Sequence, residues 1–534
     1  MNRTRVRYLT AVSALVLGAF LIRASSLDAQ SLWRDEVDAL RFATAPWAEM
    51  LGNFTRHGWN GPLYYVLLRG WIALAGTSEY AMRFFSLVPG ILSIPLIYVM
   101  GRRLYTPLTG LIAALLVTGS PYLVWYSQEV KMYTLVMALS LIAIYSLRRG
   151  LEGGGWAWWL TQVIATTLAL YTHILAALLI PVQIMIGVVW WSLVRNRWQS
   201  ALVSFVILTL PYLPLVTWQA PLALQPRDTG FTSYSLSQMV VILINAWSTG
   251  IAGWGRSWGA ALMSLLAVGG LLSQISRWLR TRESVENPRS DGARHWIALL
   301  VWLLTPLLAI WVVSRWQPLF TDRYLIWSAP AFYLLVALAL SVLIRHRTWS
   351  RRGALVLLTA LLAFQGANDW EQATTTIKSN FRAAAAYVAS YEASPEPVER
   401  APSAPMPEPG QAFRHYLPLV AARGARFGDL IIFQIPYGRY SFDYYFPIER
   451  YPWAEGLYTN HRVPNGEYQM SEYEAAWQMQ ELTEGHREIW LIATEVSLWD
   501  ERNLVQSWLE EHLELVAEAH FARVDVYRYT LPDG

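Results

Sequence analysis

Apolar stretches of about 20 residues recur along the chain and constrain its fold most, because a helix of that length crosses a hydrocarbon core of about 30 Å. Hydrophobic residues make up 54% of the 534 residues and charged residues 15%, which excludes an ordinary soluble domain. We therefore predict an α-helical polytopic membrane domain with about eleven spanning helices. The predicted spans lie near residues 6–23, 80–100, 107–125, 130–147, 156–172, 174–194, 200–217, 257–279, 295–313, 324–344 and 352–368.

Basic residues cluster in every second loop between these spans, and the alternation sets the predicted orientation. Such loops stay in the cytoplasm, so we predict an integral protein of the cell (cytoplasmic) membrane with a cytoplasmic N-terminus. The clusters lie at Arg3 to Arg7, Arg102–Arg103, Arg148–Arg149, Arg195 with Arg197, 277–294 and Arg345 to Arg352. The N-terminal segment also resembles a secretory signal. Because further spans follow it, we expect an uncleaved first helix rather than a cleaved signal.

The segment from Pro62 to Gly76 is apolar but only about 15 residues long, and Arg69 interrupts it. Counting it as a span would invert the orientation of everything that follows. We interpret it as a helix in the outer interface, with a short true span as the alternative. The two long outer loops are then 24–79 and 218–256.

The last predicted span leads into a tail on the outer face of the membrane. Residues 394–410 are rich in proline and indicate a linker. Beyond them, 429–435 and 488–494 are typical of buried strands, 503–517 of a helix and 521–529 of an alternating strand. We therefore predict a small C-terminal α/β extracytoplasmic domain. The predicted organisation is a transmembrane domain over 1–370, a linker over 371–410 and this outer domain over 411–534.

The first outer loop begins with an acidic cluster, Asp35, Glu36 and Asp38, directly after Trp33 and Arg34. Acidic residues favour the N-terminus of a helix because the dipole is positive there, which is one sufficient explanation. A carboxylate beside the membrane can also have a raised pKa and act as a general base. Both interpretations remain open from spacing alone.

A second cluster joins predicted spans three and four on the outside, within Ser120 to Tyr133. A cation flanked by phenols there can hold a phosphate through charge-assisted hydrogen bonds, although a turn with interface anchors explains the pattern equally well. Its candidate residues are Tyr126, Gln128, Glu129, Lys131 and Tyr133.

Further candidates lie at the outer ends of other helices. Arg323 and Tyr324 begin a late span, where arginine suits bidentate phosphate binding or serves as an interface anchor. His57, Tyr64, Tyr65 and His173 complete the set, although a lone histidine at a helix end is usually structural. A transporter would instead place ionisable groups near the bilayer midplane, so this one-sided distribution favours a reaction site at the outer interface.

Four motifs together resemble the C-type (GT-C fold) membrane glycosyltransferases, specifically bacterial relatives of the protein O-mannosyltransferases and of the lipid A aminoarabinose transferase. The motifs, in chain order, are WRDE at 33–36, GPLYY at 61–65, SPYLVWYSQEVKMY at 120–133 and DRY at 322–324. The resemblance covers residues 1–370 as architecture. It implies an inverting transfer of a hexose or pentose from a polyprenyl-phosphate donor to an acceptor hydroxyl on the outer face.

The resemblance also implies roles for the candidate residues. Asp35 would be the catalytic carboxylate with Glu36 beside it, and the 126–133 segment with Arg323 and Tyr324 would bind the donor phosphate. Lys131 departs from the arginine expected at its position and loses the planar fork that binds phosphate bidentately.

The sequence indicates no cofactor. It contains no cysteine, which excludes thiolate metal sites. A divalent metal held by Asp35, Glu36, His57 and His173 is chemically feasible, but no ligand spacing is diagnostic and we predict none. The predicted partners are a polyprenyl-phosphate-linked sugar, an acceptor that is a protein, lipid or glycan, and membrane lipid, with no nucleic acid.

Two other functions fit the same sequence. A polysaccharide polymerase or ligase would use a glycan linked to a lipid diphosphate. A transporter or flippase with an outer sensor domain would show charged partners at breaks inside its spans, and the prolines at 95, 181 and 306 have none in the sequence.

Overall fold

The structure is a computed structural model that describes residues 3–54, 60–224, 231–251, 253, 256–282, 291–346, 348–393, 429–463 and 465–532. The chain divides into two compact units. The first comprises Met1–Leu27 with Arg41–Thr375, and the second comprises Asp28–Leu40 with Thr376–Gly534.

The first unit is helical. Its α-helices are α1 (Arg3–Ala24), α2 (Arg34–Thr44, whose first residues belong to the second unit), α3 (Trp47–Phe54), α4 (Leu63–Ala75), α5 (Glu79–Leu104), α6 (Pro107–Thr118), α7 (Pro121–Ser127), α8 (Tyr133–Leu151), α9 (Trp156–Leu170), α10 (Leu179–Val189), α11 (Trp191–Asn196), α12 (Trp198–Leu224), α13 (Leu236–Thr249), α14 (Arg256–Arg282), α15 (Asp291–Val313), α16 (Ala329–Arg345) and α17 (Thr348–Thr374). Two 3-10 helices, Ile174–Leu178 and Asp322–Ser328, precede α10 and α16.

Every predicted span coincides with helical residues. Among the described residues, six helices are long and apolar enough to cross a membrane, and α6 with α7 form a seventh span if this pair, bent by 60°, is counted as one. The described residues also contain four apolar helices that are shorter than a span: Leu63–Ala75, Ile174–Val189, Trp198–Pro214 and Leu236–Thr249. The helical membrane domain is therefore confirmed, while the count of about eleven spans stays a prediction.

Among the described residues, the predicted outer loops contain four short helices: α2, α3 and α4 in the first loop and α13 in the second. Helix α4 has 13 residues, so at 1.5 Å per residue it is about 20 Å long and too short for the hydrocarbon core. Its Arg69, which interrupts the apolar run, donates to the Ala43 carbonyl at 3.1 Å. Helix α13 was not predicted, because its 14 residues fall below the length of a span. A capping box, in which Ser235 and Gln238 bond each other's backbone N–H groups, starts it.

The second unit contains a five-stranded sheet with the order β2-β1-β3-β5-β4. The central strands β1 and β3 are parallel, whereas β5 is antiparallel to both β3 and β4. The elements are α18 (Phe381–Ala393), β1 (Asp429–Phe433), α19 (Pro436–Asp443), β2 (Trp453–Glu455), α20 (Glu472–Thr483), β3 (Glu488–Ala493), α21 (Val496–Trp499), α22 (Leu504–His512), β4 (Glu514–Phe521) and β5 (Val524–Thr530), with a 3-10 turn at Ile448–Arg450.

Both faces of this sheet are covered, which explains the continuous apolar runs of β1 and β3. Ile431 and Phe433 of β1 face one hydrophobic core, while Leu430 and Ile432 face the other. The predicted α/β domain is thereby confirmed. The predicted helix over 503–517 ends earlier, at His512, because the following residues pair with β5 as an edge strand.

Part of the predicted linker is folded. Helix α18 packs Phe381, Ala384 and Val388 into one of the two cores of the second unit. The proline-rich stretch 394–410 lies outside the described residues. The predicted boundaries 1–370, 371–410 and 411–534 remain predictions.

Candidate functional site

A break between α6 and α7 turns the chain at the start of the second sequence cluster. Helix α6 ends at Thr118, Ser120 caps α7 by accepting from the Leu123 N–H at 3.3 Å, and Pro121 occupies the first turn. A proline at this position suits a helix start but cannot continue a helix from upstream. The 60° bend follows and orients the aromatic residues of α7 away from the line of the span.

The carbonyls at the end of α6 are bonded by side chains from other helices. Arg23 at the end of α1 donates to the Val117 carbonyl at 3.0 Å and the Thr118 carbonyl at 2.9 Å, and its Nε donates to Ser127 at 3.1 Å. Gln365 of α17 donates to the Leu116 carbonyl at 3.2 Å. Helix-end carbonyls need such partners when water is excluded. These contacts hold the break in one geometry.

Residues from three separate stretches of the chain, 126–133, 173 and 323–324, meet at α7. The rings of Tyr126 and Tyr133 lie 5.2 Å apart between centroids, and the guanidinium of Arg323 lies 5.9 Å from the centre of the Tyr133 ring. The His173 ring is 6.3 Å from Tyr133 and 5.0 Å from Tyr324. The fold thus brings together five of the predicted site residues, although up to about 200 positions of sequence separate them.

Asp322 adds a carboxylate that sequence reasoning did not select. Its Oδ2 accepts from the Tyr126 hydroxyl at 3.1 Å, and its carbonyl accepts from the Tyr122 hydroxyl at 2.9 Å. The Tyr126 hydroxyl proton is therefore engaged by the chain itself. The position of Asp322 directly before Arg323 in the DRY motif was the signal that could have identified it.

His173 is buried, at 1% exposure, between the predicted spans. Its Nδ1 accepts from the Leu175 N–H at 3.2 Å, so the proton of the neutral ring lies on Nε2. Burial, together with the neighbouring Arg323 and Lys131 cations, lowers the pKa of His173 to about 3. Among the described residues Nε2 has no hydrogen-bond partner. His173 is thus a neutral donor beside two cations.

The lowered pKa of His173 predicts a pH dependence of stability. The folded-state pKa lies below the unfolded value of 6.5, so the unfolded chain binds the proton first. Neutral His173 therefore contributes its full amount to the free energy of unfolding above pH 6.5. This contribution is lost as the pH falls towards about 3. We expect the melting temperature of wild type to drop more between about pH 7.5 and about pH 5 than that of His173→Gln. The exposed His461→Gln is the control; equal drops in wild type and His173→Gln would contradict the assignment.

The GPLYY motif packs against the loop that carries His173. The Leu63 N–H donates to the Tyr171 carbonyl at 3.0 Å, and Asn60 accepts from the Ile174 N–H at 3.2 Å. A Cβ on Gly61 would lie 2.1 Å from the Tyr171 oxygen, so only glycine fits this approach. Tyr64 and Tyr65 of the motif are buried.

Of the remaining residues of the second cluster, Lys131 and Glu129 are buried and Gln128 is partly buried. Lys131 is 9% exposed and Glu129 1%, and the Lys131 carbonyl accepts from Ser86, which bonds the Tyr64 hydroxyl at 2.7 Å. Gln128 donates to the Arg23 carbonyl at 2.9 Å and to a serine hydroxyl at 2.8 Å. The Gln128 amide nitrogen therefore anchors the end of α1.

The acidic cluster at the start of α2 belongs to the second unit. Glu36 is fully buried, and its carboxylate accepts from the Lys378 ammonium at 2.9 Å. Asp35 is half-buried in the same turn. The chain has only two lysines, Lys131 and Lys378, and both lie in buried positions. That rarity was the only sequence signal for Lys378, which was not predicted as a site residue.

The segment before α2 is built into the second unit. Gln30 accepts from the Ile377 N–H at 3.0 Å, and the Leu32 N–H donates to the Tyr445 hydroxyl at 2.7 Å. Arg382 donates to the Asp28 carbonyl at 2.9 Å. Residues 28–40 are therefore part of the C-terminal unit in space, although Thr376, where the rest of that unit begins, lies 336 positions after Leu40 in the sequence.

His57 lies outside the described residues. Within the part of the chain that the structure describes, no group of three His, Cys, Asp or Glu side chains is arranged to hold a metal ion.

Residues 59–218 match the family model for dolichyl-phosphate-mannose-protein mannosyltransferases. No curated protein sequence matches the chain.

Solved structures match over almost the whole chain. The archaeal oligosaccharyltransferase AglB from Archaeoglobus fulgidus, in complex with an inhibitory peptide and a dolichol-phosphate, aligns with a TM-score of 0.57 at 13% identity and covers 99% of this chain and 74% of that one. ArnT from Cupriavidus metallidurans in the apo state aligns with a TM-score of 0.55 at 13% identity over 97% of both chains. ArnT bound to undecaprenyl phosphate gives 0.52 at 14% identity, again over 97% of both. The chain therefore has the fold of the GT-C membrane glycosyltransferases, which confirms the resemblance seen in its motifs.

Proposed function

We propose that this protein is an inverting glycosyltransferase that moves a sugar from a polyprenyl-phosphate donor to an acceptor hydroxyl on the outer face of the membrane. The observation that carries the proposal is the meeting of Arg323, Tyr133 and His173 beside the broken helix, with Lys131 near enough to act on His173. The structure of ArnT bound to undecaprenyl phosphate and that of AglB in complex with a dolichol-phosphate support the same donor class here.

The donor phosphate would be held by charge and by fixed donors. Lys131 and Arg323 supply two cations, and the Nε2–H of His173 supplies a neutral donor. All lie where water is largely excluded, so their effect on a developing negative charge is larger than in solution. The leaving polyprenyl phosphate gains that charge as the sugar–phosphate bond breaks.

Asp35 would act as the general base. It would remove the proton of the acceptor hydroxyl as the oxygen forms its bond to the anomeric carbon on the face opposite the phosphate, which inverts that carbon. Glu36 has its charge engaged by Lys378 in the second unit, so we assign it to holding the start of α2. The assignment of Asp35 rests on the WRDE resemblance and on its half-buried position at the helix start.

The reaction class is tested directly. Purified protein in proteoliposomes is given sugars on a polyprenyl monophosphate or a polyprenyl diphosphate, together with candidate protein, lipid and glycan acceptors. We expect consumption of the monophosphate donor and release of polyprenyl phosphate with an inverted glycosidic product. Exclusive use of the diphosphate donor would replace the proposal with a polymerase or ligase, and movement of intact donor without bond cleavage would indicate a transporter.

Arg323→Gln tests the phosphate site. A hydrogen bond between charged groups contributes about 1.5–3 kcal/mol, so we expect donor affinity to fall by roughly 10- to 100-fold. Binding of undecaprenyl phosphate to the purified variant measures the change. Arg315→Gln, an exposed arginine of the same predicted outer loop, is the matched control. Equal affinity of Arg323→Gln and wild type would remove Arg323 from the site.

A further inference from the structure

A cavity lies in the first unit, and none of its lining residues belongs to the candidate site. Helix α16 connects the two regions. It begins directly after Asp322–Ser328, whereas the cavity is lined by residues of its C-terminal half, from Leu338 to Arg345. The cavity encloses about 430 Å³, within the range of small-molecule sites. The ends of α5, α14 and α16 and the starts of α6 and α15 contribute its lining.

Basic side chains supply the charged groups among the described lining residues of this cavity. Arg277 and Arg345 line it together with His295 and His346, and no aspartate or glutamate occurs among its lining residues in the described part of the chain. Apolar side chains, among them Leu338, also line the cavity. A lining that combines cations with apolar side chains suits an anionic amphiphile.

Tyr105 provides an independent observation. It lines the cavity, and its hydroxyl is buried with no hydrogen-bond partner among the described residues. Its ring meets His295 edge-on at 5.9 Å between centroids. Buried tyrosine hydroxyls normally find an acceptor, so this donor indicates a ligand with oxygen acceptors.

We propose that this cavity binds the phosphate group of an anionic molecule, with Arg277 and Arg345 neutralising the phosphate and Tyr105 donating a hydrogen bond to it. The predicted orientation places these helix ends at the cytoplasmic leaflet, where anionic phospholipids are concentrated. Basic pockets between helices on that side are typical sites for lipid head groups. The site is separate from the transfer reaction and does not depend on it.

Native mass spectrometry of the full chain tests the proposal. Protein is transferred from nanodiscs that contain phosphatidylglycerol or only phosphatidylcholine, and the retained lipid is counted. We expect one phosphatidylglycerol retained by wild type, and about ten-fold lower occupancy in R277Q/R345Q because two cations are lost. Arg351→Gln removes an arginine at the same end of the helices but outside the cavity, and we expect it to match wild type.

Tyr105→Phe isolates the hydroxyl without changing the net charge, and it keeps the test informative if the double variant fails to fold. We expect it to lower occupancy by a few-fold, in keeping with one hydrogen bond. Competition with excess inorganic phosphate separates the two sources of the ligand: displacement of the lipid identifies a site for phosphate itself, and persistence identifies a lipid site. Equal retention by wild type, Tyr105→Phe and R277Q/R345Q, or retention of phosphatidylcholine at the same level, would overturn the proposal.

Discussion

We expect Asp35→Asn to slow sugar transfer by a factor of about 10²–10⁴ while leaving binding of the donor lipid within about two-fold of wild type. Asparagine matches aspartate in shape and cannot accept the proton of the acceptor hydroxyl. The loss therefore falls on kcat and not on donor affinity. Initial rates at saturating donor, together with direct binding of undecaprenyl phosphate, separate the two quantities.

The control for this variant lies on the same helix. Asp38→Asn removes an equal charge three residues later, from a carboxylate that faces the exposed Arg34 at 4.0 Å. Exposed pairs contribute little, so we expect its activity to stay close to wild type. The pH profile gives a second readout, because the acid limb of wild-type kcat reports the base and should vanish in the residual activity of Asp35→Asn. Full activity of Asp35→Asn would assign the base elsewhere.

The second large effect concerns the stability of the C-terminal unit. Lys378→Met should destabilise it by about 3–5 kcal/mol, since the variant leaves the fully buried Glu36 carboxylate without its cation. Removing both charges of a buried ion pair destabilises a protein less than removing one, because no uncompensated charge is then left buried. We therefore expect Lys378→Met with Glu36→Gln to recover much of the loss. Hydrogen exchange of the full-length protein, read from peptides that contain β1 and β3, measures the free energy of unfolding of the C-terminal unit in each variant.

The same pair predicts a local effect at the acidic cluster. Residues 28–40 are bonded into the second unit through Gln30, Leu32 and Glu36, so loss of the ion pair should raise hydrogen exchange at the start of α2 before the sheet opens. The exposed pair between Arg462 and Glu501 is the matched control, and Arg462→Met should leave exchange at α2 unchanged. Unaltered stability and exchange in Lys378→Met would show that Glu36 does not depend on this lysine.

The two variants distinguish a residue that acts in the reaction, Asp35, from one that stabilises the fold, Lys378. Asp35→Asn should keep the exchange pattern of wild type and lose turnover. Lys378→Met should lose protection first, and its turnover should recover in part with the compensating Glu36→Gln. A chain in which Glu36 itself were the base would behave in the opposite way, because Glu36→Gln would then abolish turnover in either background.

The sequence alone determined the helical membrane domain, the small α/β tail and the residue types available for chemistry. Hydropathy and periodicity are local properties, and they located helices at every predicted span and strands at 429–433 and 488–493. Hydropathy over the length of a span did not identify the breaks within spans or every shorter helix. Helix α13 and the division of the third span at Thr118 depend on capping and on side chains such as Arg23 that arrive from far along the chain.

Only the tertiary structure decided which of the candidate residues meet. Tyr133, His173 and Arg323 are neighbours because helices about 40 and about 150 residues apart pack side by side, and no local pattern encodes such a contact. Likewise, the burial of Glu36 against Lys378 follows from the folding of residues 28–40 into the C-terminal unit. Local sequence specifies what each segment becomes, whereas the partners of a buried charge depend on long-range packing, since only the assembled fold removes the water that would otherwise solvate it.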